Sequence, residues 1–309
     1  MPVKTTLSTK ASSINRALDE IGDKWCLLIL QEVFWGINTF NEMLAGTGAS
    51  RGVLSNRLSW LESMGYLRKD IIAKGQKRPT YHMTKKSIEL YRNGLMAMVW
   101  ERKYFTTPDL DSVELIHNCC DKAFWPIMEC SHCDKPVTQQ EVSFHSGPGA
   151  KKDTRITKIR RRSSTTSASK DHGKTLYSNL INLLGDRWTA NIIALAFHGF
   201  TRFDDFHKEL PVATNILADR LKLLVNEGIF YQQPYQVSPL RYDYHLTDKG
   251  RDLFPYFVTL MAWGDKWCAT GDGNPMLLKH MACGTDLKAE VRCDQCGKEL
   301  IATEVRFKR

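Results

Sequence analysis

The sequence lacks the features of membrane, secreted and catalytic proteins. It has no run of about 18 apolar residues, which excludes a membrane-spanning helix, and it begins without the apolar stretch of a secretory signal. No phosphate-binding loop or nucleophile–base arrangement stands out, so no enzyme is predicted. Nine cysteines, an odd number, are too clustered for a secreted disulfide scaffold. We therefore expect a cytoplasmic protein without catalytic activity.

Positive charge is in excess, and most of it lies in one segment. The net charge is +9 with a pI near 9.0. Residues 151–174 hold nine Lys/Arg and two Asp, a net of +7, which leaves 9 − 7 = +2 for the rest of the chain. Because residues 147–173 are rich in Gly, Ser and basic residues, they predict a flexible linker. It would act either as a spacer or as a cationic arm along DNA.

The chain repeats itself at an offset of 163 residues. The motif GDKW (Gly22 to Trp25) returns as GDRW (Gly185 to Trp188), and no gap is needed from there to Phe144 and Phe307. Such a constant register across many rare residues predicts a tandem duplication of a unit of about 135 residues. We call the two units copy 1 and copy 2.

Each copy has the element order of a winged helix-turn-helix. In copy 1 an apolar helix ends near Gly36, and a helix capped by Ser50 and ended by Gly65 carries leucines along one face. A basic hairpin and a long helix follow. The predicted fold is α+β and mainly α, with two winged helices at 12–105 and 174–268, zinc-ribbon-like modules at 106–146 and 269–309, and a linker at 147–173.

The polar face of the capped helix and the basic hairpin predict contacts with DNA. Short polar and cationic side chains reach base edges and phosphates. Solvated polar helix faces are common, but a surface hairpin needs no cluster of cations for its stability. The candidate DNA-binding residues are Ser50, Arg51, Ser55, Asn56, Arg57, Lys74, Lys77 and Arg78 in copy 1, and Thr214, Asn215, Arg220 and Arg241 in copy 2.

Each copy then carries the spacing H-x2-C-x9-C-x2-C. One histidine and three cysteines fill the four positions of a tetrahedral zinc site and leave none for a catalytic water. We therefore expect two structural zinc ions, each closed within its own copy. The ligand sets would be His117, Cys120, Cys130 and Cys133, and His280, Cys283, Cys293 and Cys296.

These motifs resemble the HxlR family of bacterial winged-helix transcription regulators over residues 15–104 and 178–267. The resemblance rests on SRGVLSNRLSWLESMGYLRK and RPTYHMTKKSIEL in copy 1 and on LADRLKLLVNEGIF and YDYHLTDKGRDLFPYF in copy 2. It implies a recognition helix in the major groove of double-stranded DNA and dimerisation through terminal helices. Redox-sensing members carry a cysteine before the first helix, where this chain has residues close to Ser12 and Thr175, so that mechanism is not carried over.

The two copies differ in charge. The wing residues Lys74 and Lys77 correspond to Val237 and Leu240, and Asn56 corresponds to Asp219. Because each lost phosphate contact weakens binding, we expect copy 1 to dominate DNA affinity.

The predicted function is a cytoplasmic, nucleoid-associated regulator whose two copies pair as an intrachain pseudo-dimer. Further homodimerisation and a small-molecule effector remain open, and no membrane partner is expected. The alternative is a protein-interaction adaptor of the transcription machinery, since winged helices and zinc ribbons also dock proteins.

Overall fold

A computed structural model describes residues 12–70, 79–105, 113–150 and 177–308. Most of the predicted linker lies outside the described residues, as do the first wing's Lys74, Lys77 and Arg78. No helix in the described ranges is long and apolar enough to cross a membrane.

Copy 1 forms a winged helix-turn-helix, as its sequence predicts. Asp23 caps the second helix, Ser50 caps the fourth, and Gly65 ends it with a φ of +73°. The apolar side chains Leu54, Leu58 and Leu61 are all buried. The elements are α1 (Ser13–Ile21), α2 (Lys24–Phe34), α3 (Phe40–Thr47), α4 (Arg51–Ser63), β1 (Leu67–Asp70), β2 (Thr80–Met83), α5 (Lys85–Ile88) and α6 (Tyr91–Tyr104).

Copy 2 repeats this order of elements. Its wing strands pair from Phe230 with Leu246 to Val237 with Leu240, with one irregularity between Pro234 and Gln236. The elements are α7 (Ser178–Leu184), α8 (Arg187–Phe197), α9 (Phe203–Glu209), α10 (Thr214–Asn226), β7 (Phe230–Val237), β8 (Leu240–Leu246), α11 (Asp248–Arg251) and α12 (Phe254–Trp267).

The modules that follow the long helices exchange strands between the copies. Copy 1 supplies β3 (Glu114–His117), β4 (Lys122–Ala123), β5 (Pro126–Cys130) and β6 (Val142–Ser146), and copy 2 supplies β9 (Met276–His280), β10 (Thr285–Asp286), β11 (Ala289–Cys293) and β12 (Val305–Lys308). The sheets have the orders β12-β3-β4, β10-β9-β6 and β11-β5. The last strand of each copy therefore pairs with the first module strand of the other.

The chain divides into two compact units, each built from both copies. Unit A contains the winged helix of copy 1 from Glu20, with β3 and β4, and takes α7 and β12 from copy 2. Unit B contains the winged helix of copy 2 from Arg187, with β9, β10 and β11, and takes residues 12–19, β5 and β6 from copy 1. Neither unit is one copy alone.

In unit A, the α7 helix of copy 2 is fixed by Glu101 of α6. This buried carboxylate accepts hydrogen bonds from the backbone N–H of Asn179 at 3.0 Å, from its side-chain amide at 2.6 Å, and from the backbone N–H of Leu180 at 2.9 Å. A carboxylate at a helix N-terminus satisfies N–H groups that have no partner within the helix.

In unit B, the first helix of copy 1 is fixed by the second winged helix. The Ser13 hydroxyl donates to the Asp265 carboxylate, and Arg187 pairs with Asp19 at 2.7 Å. The β6 strand packs through Phe144, whose ring contacts that of His198 edge-on with centroids 4.3 Å apart. Burial lowers the pKa of His198 to about 4.

Candidate DNA interface and metal-ligand clusters

The α4 helix of copy 1 has one buried and one exposed face. Ser50 accepts a hydrogen bond from the backbone N–H of Val53 at 3.3 Å, which starts the helix. The candidate residues Arg51, Ser55 and Asn56 are exposed on the face opposite the leucines. An N-terminal helical turn with a cation and short polar groups suits base edges and phosphates.

Arg57 and Arg220, both predicted to bind DNA, are placed elsewhere. The Arg57 guanidinium lies 3.0 Å from a carboxylate oxygen of Asp23, which also caps α2 through the backbone N–H groups of Trp25 and Cys26. This contact ties α4 to the start of α2. Arg220 is only 8% exposed. Repeated arginines at this position therefore reflect a structural role, and we leave both out of the candidate DNA interface.

The α10 helix of copy 2 exposes a different set of side chains. Thr214 and Asn215 lie exposed in the first turn, as their candidate role requires, and Asp219 is exposed one turn later. Asp219 is a carboxylate at the position of Asn56 in α4. An exposed carboxylate on this face repels phosphates, although it can accept a hydrogen bond from a cytosine amino group.

The second wing exposes apolar side chains, and its Arg241 and Asp243 pair with residues outside the wing. At its tip Val237 is 86% exposed and Leu240 is 56% exposed. Arg241 lies 3.4 Å from Asp204, and Arg202 lies 3.3 Å from Asp243. Because these cations face carboxylates, their positive charge is partly neutralised before any phosphate approaches.

Unit B contains a complete set of four potential metal ligands, from Cys130, Cys133, His280 and Cys283. Their ligand atoms all lie within 4.8 Å of one another. His280 Nδ1 lies 3.4 Å from Cys133 Sγ and 3.5 Å from Cys283 Sγ, and the sulfurs of Cys130 and Cys283 are 3.9 Å apart. With Zn–S near 2.3 Å and Zn–N near 2.0 Å, a tetrahedron requires about 3.8 Å between sulfurs and about 3.5 Å between sulfur and nitrogen. The cluster fits zinc.

Two strand ends and the turns that follow them position these ligands. His280 and Cys130 end β9 and β5, while Cys283 and Cys133 lie just beyond them. His280 and Cys130 are fully buried, and the other two are partly exposed. Burial in low dielectric raises the pKa of Cys133, whereas hydrogen bonds from the Thr285 hydroxyl and backbone lower the pKa of Cys283 to about 6.

This grouping corrects the predicted pairing of the metal ligands. A site closed within each copy is wrong, because Cys130 and Cys133 of copy 1 join His280 and Cys283 of copy 2. Of the remaining candidates, His117 and Cys120 lie in unit A, whereas Cys293 and Cys296 lie in unit B. The group of unit B is compatible with a bound metal. The physical reason is the strand exchange, which carries Cys130 and Cys133 to the other copy.

Arg292 strengthens the exchange beside the cluster of unit B. Its guanidinium lies 2.5 Å from Asp134 and 3.5 Å from Glu129, both of copy 1, and 3.0 Å from Glu290 on its own strand. The carboxylates of Asp134 and Glu290 raise the pKa of Arg292. The sequence did not predict these ion pairs, because no sequence spacing relates Arg292 to the acidic residues of the other copy.

Comparison with known proteins identifies the class. The HxlR-like helix-turn-helix family matches residues 20–108 and 183–272, and the chain belongs to this family. The relatives are helix-turn-helix transcription regulators, which confirms both the resemblance and the prediction that the chain is not an enzyme.

Two relatives illustrate the match. The chain is 39% identical over 125 residues to the uncharacterised HTH-type transcriptional regulator Rv3095 of Mycobacterium tuberculosis, covering 40% of this chain and 79% of that protein. It is 36% identical over 92 residues to the HTH-type transcriptional regulator YodB of Bacillus subtilis, covering 29% of this chain and 82% of that protein. The structure of reduced YodB matches 34% of this chain and 97% of its own, with 30% identity and a TM-score of 0.28.

Proposed function

We propose that this chain is a sequence-specific regulator of transcription that binds double-stranded DNA with two winged helices acting as an intrachain pseudo-dimer. The observation that carries the proposal is the exposed face of α4, where Arg51, Ser55 and Asn56 stand opposite the buried leucines. Thr214 and Asn215 of α10 are the corresponding contacts of copy 2. Lys74, Lys77 and Arg78, outside the described residues, would add phosphate contacts from the first wing.

Each winged helix is completed by elements of the other copy, which supports pairing within one chain. Glu101 holds α7 in unit A, and Asp265 binds Ser13 in unit B. Because these elements are exchanged in both directions, a single copy would leave apolar and hydrogen-bonding surface uncovered on its winged helix. A single chain then supplies two recognition helices, as a homodimer of single-copy relatives would.

Zinc is the proposed resident of the ligand group of unit B, in a structural role. Three sulfurs and one nitrogen with tetrahedral spacing are the donor set that structural zinc prefers, and four protein ligands leave no position for substrate. In unit B, the ion would be held by Cys130, Cys133, His280 and Cys283, so that it would link residues from the two halves of the chain. The metal would thereby secure the exchange of strands.

Selection of genomic fragments by the zinc-loaded protein, titrated at two salt concentrations, tests the DNA-binding proposal. We expect a two-part site, occupied by one chain, whose affinity falls steeply with salt. The matched variants are Arg51→Ala and Arg57→Ala. Arg51→Ala should weaken specific binding without loss of Tm, whereas Arg57→Ala should lower Tm because it releases Asp23. Recovery of no enriched duplex would contradict the proposal.

The second candidate function is a protein-interaction adaptor, and the apolar tip of the second wing favours it. Val237 and Leu240 are exposed where copy 1 has Lys74 and Lys77. Exposed apolar residues among paired charges suit a protein surface better than phosphates. If selection yields no duplex, this function is preferred, and Leu240→Lys should then abolish capture of the partner while leaving Tm unchanged.

A further inference from the structure

The core of the first winged helix contains two polar side chains that make no hydrogen bond. Gln31 of α2 is 4% exposed, and neither its amide oxygen nor its amide nitrogen has a partner in the part of the chain that the structure describes. Tyr91 of α6 is 7% exposed, and its hydroxyl also lacks a partner there. Burial raises the pKa of Tyr91 above its ordinary range, so the hydroxyl keeps its proton and can donate.

Phe34 of α2 relates the two positions to each other. Gln31 precedes Phe34 by three residues, and residues at this spacing share one face of a helix. The Phe34 ring stacks on that of Tyr91 with centroids 5.4 Å apart and planes 18° apart. The helical spacing therefore predicts that the amide of Gln31 lies near the side chain of Tyr91. Buried polar groups without partners are rare because each loses its bonds to water on folding.

Copy 2 shows that the fold does not need these polar groups. The residues at the positions of Gln31 and Tyr91 are Ala194 and Phe254. The same helices pack there through Phe197 and Phe254, with ring centroids 5.3 Å apart. An apolar solution is thus available in the same scaffold, while copy 1 retains two unpaired polar groups at matched positions. Structural necessity does not explain them.

We propose that Gln31 and Tyr91 line a binding site of unit A for a small uncharged molecule with a flat apolar part, a hydrogen-bond donor and an acceptor, such as an aromatic amide or a phenol. The Gln31 amide would donate to and accept from the ligand, and Tyr91 would donate. Glu32, the next residue of α2, is also buried, and its carboxylate disfavours an anionic ligand. The site's role as an effector site rests on the proposed regulatory function, but its existence does not.

Calorimetry and thermal unfolding of the full zinc-loaded chain test the proposal, with benzamide, phenol and 4-hydroxybenzamide as probes. The variants Gln31→Ala and Tyr91→Phe install the residues of copy 2, and Phe254→Tyr in copy 2 is the matched control. We expect saturable binding of 4-hydroxybenzamide with a rise in Tm. Each copy 1 variant should weaken this binding by about tenfold or more, whereas Phe254→Tyr should not.

Stability without any probe distinguishes a ligand site from a structural one. If the groups await a ligand, Gln31→Ala and Tyr91→Phe leave the Tm of the free protein unchanged or raised. A lower Tm in both variants would show that an internal water satisfies them structurally, and would overturn the proposal. So would the failure of all three probes to bind, or equal binding by the double variant. DNA binding of the unliganded variants is measured in parallel. If the ligand-site proposal fails but the proposed regulatory function holds, DNA binding stays intact in every variant.

Discussion

The two winged helices share one scaffold but present different chemistry. In both, a helix buries leucines at the same repeat positions, and a hairpin and a long helix follow. On the exposed faces, however, Asn56 of α4 stands where α10 has Asp219, and the wing residue Lys77 stands where β8 has Leu240. After a duplication, the buried positions are constrained by packing, while the exposed positions are free to diverge.

Two buried positions have diverged as well, and in the same sense. Copy 1 buries polar groups, Gln31 and Tyr91, where copy 2 has Ala194 and Phe254. Copy 1 is therefore the more polar copy at these buried positions as well as in its wing. The two copies differ in chemistry at both exposed and buried positions.

The prediction with the largest expected effect tests whether a change in copy 1 removes a metal that copy 2 also holds. We expect Cys130→Ser, a change in copy 1, to remove the metal of unit B, since Cys130 groups with His280. Structural zinc provides much of the folding free energy of so small a module. Bound zinc should fall by one ion per chain, and Tm should drop by about 10 °C or more. Cys119→Ser, a change of an exposed cysteine, is the control.

A double variant separates exchange from closure within a copy. Cys130→Ser with His280→Ala damages a single site under exchange, so it should remove no more zinc than Cys130→Ser alone. If each copy closed its own site, the double variant would damage two sites and would remove more zinc than either single variant, which would contradict the exchange.

The sequence predicted the local elements and the ligand residues but not their partners. Ser50, Gly65 and the leucine spacing determine α4 through capping and periodicity, which act within a few residues, and the structure confirms them. The identical H-x2-C-x9-C-x2-C spacing predicted the candidate ligands. It could not decide between Cys130 with His117 and Cys130 with His280, because both pairings satisfy the same local spacing in a duplicated chain.

The role of the repeated arginines shows a second limit. Arg57 and Arg220 recur at the same offset and were predicted to bind DNA, yet one pairs with Asp23 and the other is buried. Each arginine is next to an exposed helix position, at the border between the exposed and the buried face. Periodicity alone does not determine whether a residue at this border is exposed. The partner Asp23 lies 34 residues earlier along the chain, where no local pattern relates it to α4.

The second prediction concerns the unequal contributions of α4 and α10 to DNA affinity. Exchanging the residues at one position, as Asn56→Asp in copy 1 and Asp219→Asn in copy 2, should have opposite effects on DNA affinity. We expect Asn56→Asp to weaken specific binding by about 10-fold to 100-fold, as the loss of a good base contact costs about 1–3 kcal/mol. Asp219→Asn should leave binding unchanged or strengthen it, because a carboxylate is removed. Titration on the selected duplex measures both, and equal losses would contradict copy 1 dominance.

The third prediction concerns the wings and the salt dependence of binding. Replacing Lys74 and Lys77 by Val and Leu gives copy 1 the wing of copy 2 at these positions. If both lysines contact phosphates, the slope of log K against log salt should flatten by about 1 for each lost contact. The matched change Arg241→Gln should alter the slope less, because Arg241 already lies 3.4 Å from Asp204. A larger change in slope from Arg241→Gln would show that the wing of copy 2, and not that of copy 1, contributes more to phosphate binding.

The smallest expected effect is a pH dependence confined to unit B. Burial raises the pKa of Asp265 from 3.8 to about 6, whereas the position holds Arg102 in copy 1. A carboxyl whose pKa is raised on folding stabilises the protein while protonated, so this contribution is complete below about pH 3.8 and is lost as the pH rises through about 6. His198 acts in the opposite direction, since its lowered pKa makes stability fall as the pH drops from 6.5 towards about 4.

Because these two groups oppose each other, the effect must be measured as a difference between variants. Asp265→Asn keeps an oxygen that accepts from Ser13 but cannot ionise. We expect it to raise Tm slightly at pH 7 and to leave Tm unchanged at pH 4, so that the difference from the natural chain grows between these values. Asp272→Asn, a change at an exposed position, should show no such trend. An equal shift at both pH values would mean that the ionisation of Asp265 does not weaken the hold of the second winged helix on the first helix of copy 1.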